Sequence, residues 1–183
     1  TYTYDGVGNV TSVKDANGKR SKNVYDANGN LISSTDRNGA ETKYEYDKNN
    51  RLTRVTDALG GVTTYTYDAL GQMTKTVSPA GNGTASLYDS MGRTTSSTNA
   101  RGFATQYEYD ALGRVSTMTN PDGTTVSYTY DANGQLLTTT NEAGDVTSYT
   151  YDANGLMTSM TDVMGGKTVN TYDKVGNLVS TTD

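Results

Sequence analysis

The sequence contains no cysteine, no histidine and no tryptophan, with one phenylalanine and two prolines among its 183 residues. Each absence removes a chemistry. Without cysteine there are no disulfides, thiolate metal sites or cysteine nucleophiles. Without histidine, Ser-His-Asp and Cys-His catalytic arrangements and His-ligated metals drop out as well. No apolar run approaches the length of a membrane span, and no stretch reads as a signal peptide. A net charge of −5 disfavours nucleic acid and anionic membrane as partners. Only 33 % of residues are hydrophobic, and the mean hydropathy is −0.68. Composition alone would suit a disordered chain. The patterning does not.

Tyr-Asp occurs nine times, always 21 residues apart, at Tyr4, Tyr25, Tyr46, Tyr67, Tyr88, Tyr109, Tyr130, Tyr151 and Tyr172. An unbroken period of this length defines a repeat array, in which small units that cannot bury a face alone stack on one another. Three residues after each Asp stands Gly, except that Asn50 takes its place once, and Asn is the residue that best replaces Gly in the left-handed region. A second glycine follows ten residues later in the array, at Gly18, Gly39, Gly60, Gly81, Gly102, Gly123, Gly144 and Gly165. It too usually closes a tetrapeptide that opens with Asp or Asn, as in Asp57-Ala58-Leu59-Gly60. Asp or Asn first and Gly last marks a type I turn followed by a left-handed residue.

Between the turns lie six- or seven-residue segments rich in Thr, Val and Tyr, such as Arg114 to Thr119 and Thr124 to Tyr130. These are strand compositions at strand length. The predicted fold is therefore all-β: a repetitive antiparallel β-meander of 21-residue units with two strands each, roughly eighteen strands in total. At about 4.8 Å per strand the ribbon would be roughly 85 Å wide. Sheets that wide rarely stay flat, so the expectation is a curved or spiralling single-sheet wall.

The odd period bears on side-chain direction. Two three-residue turns of the same type would, with an odd repeat, flip the tyrosines to the opposite face in successive units. Keeping them on one face predicts that the turns differ: a three-residue loop with a Gly bulge after Tyr-Asp, and a longer loop around the second Gly. The Tyr-Asp tyrosines then share a face, concave in a curled ribbon, with the aliphatic row Val10, Leu31, Leu52, Met73, Val115, Leu136, Met157 and Leu178, where Thr94 is the exception. A second row comprises Tyr2, Tyr44, Tyr65, Tyr107, Tyr128 and Tyr149. Simple alternation also sets Leu136, Thr138 and Thr140 together. The ring of each repeated Tyr is expected to cover neighbouring aliphatics while its hydroxyl stays wet.

Candidate sites are few. Asp residues of neighbouring units would lie two strand spacings apart, near the separation used by inverting glycosidases, but turn hydrogen bonding accounts for them. The Asp-Ala-Asn-Gly loops, such as Asp26–Gly29 and Asp131–Gly134, match the start of a calcium loop and lack its later acidic ligands. The tyrosine rows offer a stacking platform for carbohydrate or peptide. Val77 to Leu87 departs most from the pattern, with Ser86 in place of the second Tyr, Pro79, and an additional Gly83. No catalytic, metal-binding or cofactor-binding residue emerges. The nine Tyr-Asp tyrosines and the eight second-turn glycines are expected to be structural.

The pattern Tyr-Asp-x-x-Gly-x-Leu, then Thr-Asp/Asn-x-x-Gly, then Thr-x-Tyr-x-Tyr-Asp resembles the YD repeat of Rhs proteins, with Tyr109 to Asp131 a good copy. The resemblance covers residues 1–183 as one array of nine units and implies a fragment of a longer chain. It implies a structural scaffold and no enzyme: part of a β-sheet shell that encapsulates a C-terminal toxin effector, in a secreted or cell-surface bacterial protein. Partners would be further repeats and the effector of the same chain, or other copies through exposed strand edges. The family's self-cleaving Asp-Pro-x-Gly motif has no counterpart, because neither Pro79 nor Pro121 follows Asp. The alternative reading is a surface fibre for adhesion or carbohydrate binding, built by uninterrupted repetition.

Overall fold

The computed structural model describes residues 1–183. It contains eighteen strands and no helix. Its contacts form two compact units, Thr1–Leu87 with Ser97–Phe103, and Tyr88–Ser96 with Ala104–Asp183.

In the first unit the strands are β1 (Tyr2–Tyr4), β2 (Val10–Lys14), β3 (Arg20–Tyr25), β4 (Leu31–Thr35), β5 (Glu41–Tyr46), β6 (Leu52–Thr56), β7 (Val62–Tyr67), β8 (Met73–Val77) and β9 (Gly83–Tyr88). Each pairs antiparallel with the next. After β10 (Thr94–Thr98), the second unit repeats the scheme with β11 (Ala104–Tyr109), β12 (Val115–Thr119), β13 (Thr125–Tyr130), β14 (Leu136–Thr140), β15 (Val146–Tyr151), β16 (Met157–Thr161), β17 (Lys167–Tyr172) and β18 (Leu178–Thr182). Strands β11 to β18 likewise pair in succession. Each unit is a single-layer antiparallel meander.

The two turns of a repeat are alike, which corrects the expectation that they differ. After Tyr25, the Asp26 N–H donates to the Asn30 carbonyl (2.9 Å) and the Gly29 N–H to the Asp26 carbonyl (3.1 Å). At the second turn, the Asp36 N–H donates to the Ala40 carbonyl (2.9 Å) and the Gly39 N–H to the Asp36 carbonyl (3.1 Å). Both are three-residue loops closed by a residue in the left-handed region, with φ +83° at Gly29 and +88° at Gly39. Asn50 adopts φ +59°, the one non-glycine residue with positive φ. The backbone of the Pro79 turn is no different: Ser78 N–H donates to the Asn82 carbonyl and Gly81 N–H to the Ser78 carbonyl.

The odd residue is absorbed inside a strand instead. Between β3 and β4 the register runs Val24↔Ser33 and then Tyr25↔Leu31, so Ile32 has no opposite number. The same shift leaves out Leu137 between β13 and β14, where Thr129 faces Thr138 and Tyr130 faces Leu136. One β-bulge per repeat leaves an even number of residues to alternate, and the tyrosines return to the same face in each unit. The bulge also corrects the expected strand alternation. Leu136 shares its face with Thr139, opposite Tyr128, while Thr138 and Thr140 point to the other face opposite Thr129 and Ser127.

The expected pairing of Tyr with an aliphatic residue is present in the register: Tyr46↔Leu52, Tyr67↔Met73, Tyr109↔Val115, Tyr130↔Leu136 and Tyr151↔Met157 are directly opposite. Opposite residues on antiparallel strands share a face and make the cross-strand contacts that stabilise a sheet. On the other face hydroxyls pair across the strands, Thr129 with Thr138 at 2.6 Å and Thr150 with Ser159 at 2.7 Å.

Burial is shallow. Val126, at 9 % exposure, is the one buried hydrophobic residue, and no large side chain is wholly enclosed. The accessible surface is 11852 Å², against about 8,500 Å² for a typical folded monomer of this mass. Order comes from pairing between successive strands and from the tyrosine face rather than from a core between two layers.

Candidate functional site

The face that carries chemistry is the tyrosine face beside the Tyr-Asp turns. There the hydrogen-bond ladder between hairpins stops early. Strands β4 and β5 pair at Thr35↔Glu41, Ser34↔Thr42 and Ser33↔Lys43, and the register ends before it reaches Leu31. The Tyr46 hydroxyl fills this gap by donating to the Leu31 carbonyl at 3.0 Å. The bond recurs along the array, from Tyr25 to Val10 (3.1 Å), Tyr67 to Leu52 (2.8 Å), Tyr109 to Thr94 (2.6 Å), Tyr130 to Val115 (3.0 Å) and Tyr172 to Met157 (2.8 Å). The phenols of Tyr25, Tyr46, Tyr67, Tyr130 and Tyr172 reach the carbonyl of the residue that pairs with the preceding repeat's tyrosine. The hydroxyls were expected to be wet; they are instead spent on backbone acceptors that the bulged strand leaves free of the ladder.

Two exceptions in the second tyrosine row follow the same rule. Asn23 and Asn170 stand where other repeats carry Tyr, and their side-chain amides donate to the carbonyls of Val10 (3.2 Å) and Met157 (3.3 Å). These are the carbonyls already held by Tyr25 and Tyr172. Burial pushes the Tyr46 hydroxyl pKa up, helped by Tyr44 and Asp26; Tyr151 is raised in the same way, helped by Tyr149 and Asp131.

The turn aspartates are occupied from within their own loops. Asp26 Oδ1 accepts from the N–H groups of Asn28 (2.9 Å) and Asn30 (2.9 Å), and Asp110 Oδ1 from those of Leu112 (2.9 Å) and Arg114 (3.0 Å). These bonds hold the carboxylates below the usual range. For Asp47, Asp89 and Asp110 the first cause is the backbone N–H of Arg51, Arg93 or Arg114; for Asp26 it is the Asn30 side chain. The Asp-Ala-Asn-Gly loops are thus plain hairpin turns, and no group of three or more acidic residues is arranged to hold a metal ion.

Sequence reasoning missed the residue after the first glycine. Arg114 Nε donates to Asp110 Oδ2 (2.7 Å), Nη1 donates to the Asp131 carbonyl of the next turn (2.8 Å), and the guanidinium lies 4.5 Å from the centre of the Tyr130 ring. Arg51 repeats the arrangement with Asp47, Asp68 and Tyr67. Arg93 keeps two of the three contacts, with Asp89 and the Tyr109 ring. At Arg51 and Arg114 one planar cation therefore ties two successive turns and covers the intervening ring. The signal was a run of polar residues at this position, Asn30, Arg51, Gln72, Arg93, Arg114 and Gln135, directly after the left-handed turn residue, which is Asn50 before Arg51 and glycine before the others.

The predicted structural residues lie as follows. The tyrosines from Tyr25 to Tyr172 end the odd-numbered strands from β3 onward, and Tyr4 ends β1. Gly18, Gly39, Gly60, Gly81, Gly102, Gly123, Gly144 and Gly165 close the second turns, all at positive φ.

A single-layer β-meander whose repeats are fastened by tyrosine–carbonyl bonds is a shell-type repeat domain. The chain belongs to the teneurin YD-shell family, whose model matches residues 1–126, and an RHS repeat model matches residues 130–167. It is a repeat domain of that family. No curated protein matches it in sequence. Among solved structures it is similar to the TcdB2-TccC3-TEV crystal structure, with 18 % identity and a TM-score of 0.55 over 98 % of this chain. It is equally similar to a Photorhabdus luminescens Tc holotoxin pore carrying a TccC3 substitution, with 18 % identity and a TM-score of 0.55 over 99 % of this chain. TcdB2-TccC3 without its hypervariable C-terminal region matches at 19 % identity and a TM-score of 0.54 over 98 % of this chain. In all three the chain spans 12 % of the length of the protein it matches.

Proposed function

We propose that this chain is a section of a β-sheet shell enclosing an effector carried further along the same, longer polypeptide, in a secreted or surface-exposed bacterial protein. The observation that carries the reading is the uncovered tyrosine face. Its rings are fixed by carbonyl and guanidinium contacts, yet no second layer packs on it, so it presents a stiff half-buried lining rather than a core. Membership of the YD-shell family and similarity to structures containing TccC3, one of them lacking a hypervariable C-terminal region, support an interior that houses something. The 12 % coverage of those proteins supports the further proposal that residues 1–183 are one stretch of a larger wall. In this reading the nine tyrosines and the second-turn glycines are structural residues: the first fasten adjacent hairpins, and the second set the turns.

The test is limited proteolysis of the full-length parent protein. With the wall folded, the downstream segment should resist protease and become cleavable once the wall is unfolded by denaturant. Cleavage of that segment at the same rate in both states would overturn the enclosure.

A further inference from the structure

Charge in this chain is sorted by place. Every aspartate stands outside the strands, whereas most charged strand residues are cations gathered in the first unit. On the face opposite the tyrosines, four consecutive junctions between hairpins carry one cation each, always across from an uncharged residue: Lys22↔Ser12, Lys43↔Ser33, Arg54↔Thr64 and Lys75↔Ala85. The equivalent pairs of the second unit, Thr117↔Ser127, Thr138↔Ser148 and Ser159↔Val169, carry none. Lys14 and Arg20 lie on the same face of the first unit and stand directly opposite each other, a like-charge pair that costs a sheet stability.

All six cations are exposed. The carboxylates on this face are Glu41 and Glu45, which meet Lys43 at 3.5 Å and Arg54 at 3.7 Å. Exposed pairs of this kind contribute little and leave the cations available. The face is therefore positive on a chain whose net charge is −5. That net charge is set by turn aspartates at the sheet edges, where they accept hydrogen bonds from their own loops, as Asp26 and Asp47 do. A partner lying against the face meets the cations first, because salt screens more distant charge.

We propose that this face of the first unit docks on an anionic lipid bilayer. Spacing selects the partner. Lys22 and Lys43 face positions two residues apart on β4, Lys43 and Arg54 stand two residues apart in the β6 register, and Arg54 and Lys75 do so on β7. Successive cations thus stand about 8–12 Å from one another, in a diagonal line across the strands. Duplex DNA presents a charge about every 1.7 Å of its axis, and an extended acidic peptide presents one about every 7 Å along one side. On such linear partners many charges would fall between the cations. Lipid headgroups move laterally and gather under each cation, wherever it stands, and a cluster of four to eight lysines and arginines is the size that anionic leaflets attract. The inference does not rest on what the wall encloses.

Sedimentation of the intact chain with phosphatidylcholine vesicles, with and without phosphatidylserine, tests it. The chain should bind the anionic vesicles alone, and high salt should release it. Each cation near the surface contributes about 5-fold, so Lys22→Ser combined with Lys43→Ser should weaken binding about 25-fold. Ser127 and Ser148 occupy the equivalent positions, so the repeat accommodates serine there, and circular dichroism checks that the variant folds. Lys48→Ala combined with Lys174→Ala removes the same charge from Tyr-Asp turns and should leave binding unchanged. Absence of binding to the anionic vesicles would overturn the proposal. So would equal losses in the two double variants, which would make net charge the determinant. Tighter binding to poly-glutamate or to single-stranded DNA, at equal charge concentration, would overturn lipid as the occupant.

Discussion

The Tyr46 hydroxyl donates to the Leu31 carbonyl at 3.0 Å, across fifteen residues and between two hairpins whose ladder has already ended. This bond explains why the repeat uses tyrosine rather than phenylalanine, since both rings would cover the opposing aliphatic residue. A carbonyl released by the bulge and shielded by a ring cannot be fully hydrated, so leaving it unpaired is costly. Tyr46→Phe should lower unfolding stability by about 0.5–1.5 kcal/mol, measured by denaturant titration. Tyr46→Ala, which also removes the contact with Leu52, should lower it further. Equal stability of Tyr46→Phe and the parent chain would show that water satisfies the carbonyl just as well.

Much of this arrangement is legible in the residues, and the remainder is hidden for definable reasons. Asp, Asn and Gly announce both turns because the left-handed residue has few substitutes, and Thr, Val and Tyr announce the eighteen strands. The bulge leaves no mark: its unpaired position is Ile32 in one repeat and Leu137 in another, residues that suit any strand. Parity required one residue per repeat to be absorbed, and assigning it to a longer second loop was wrong, because a bulge inside the strand absorbs it instead. The tyrosine bond is silent because its acceptor is backbone. Arg114 joins three groups from two repeats, so neither repeat alone reveals its role.

The turn glycines supply a purely conformational test. At Gly29, φ is +83° and an added Cβ meets nothing within 4 Å, so Gly29→Ala isolates the strain of a left-handed L-residue. Its expected cost is about 1–2 kcal/mol. Asn50, at φ +59°, shows what the site tolerates, and Gly29→Asn should cost less than Gly29→Ala. Chemical denaturation of the two variants checks the order; a reversed order would mean the turn is not held in the left-handed conformation in solution.

Acid should loosen the array through its turns. Asp26, Asp47, Asp110 and Asp173 are held below the usual range by hydrogen bonds their loops donate, led by the Asn30 side chain, the Arg51 N–H, the Arg114 N–H and the Asn177 side chain respectively. A depressed folded-state pKa means that the unfolded chain binds more protons in this window. The stabilisation is full above the unfolded aspartate value of about 3.9 and is lost as pH falls through the folded values. Tyr46 and Tyr151 are raised, so their contribution is present below about pH 10 and lost as pH rises through the folded values. Thermal melts across pH should give a Tm plateau with a fall on each side. Asp110→Asn keeps the turn acceptor without the charge and should flatten the acid limb; an unchanged acid limb would assign acid sensitivity elsewhere.

Arg114 tests whether adjacent turns are tied by a specific geometry or by charge alone. Its guanidinium bonds Asp110 and the Asp131 carbonyl and lies over Tyr130. Its side chain is 25 % exposed, so the pair with Asp110 is shielded more than a typical surface ion pair. A lysine ammonium can satisfy one of these three partners at a time, because it lacks the planar fork. Arg114→Lys should therefore destabilise the chain by about 1 kcal/mol, with most of the loss persisting in about 1 M salt, where surface charge interactions are screened within a few ångströms. Arg114→Gln keeps a donor and adopts the residue found at Gln72 and Gln135; it should fall between lysine and the parent. Denaturant titrations at low and high salt decide the matter. If the lysine variant matches the parent, or its deficit vanishes with salt, the clamp is an ordinary surface ion pair and the tyrosine–carbonyl bonds alone fasten the hairpins.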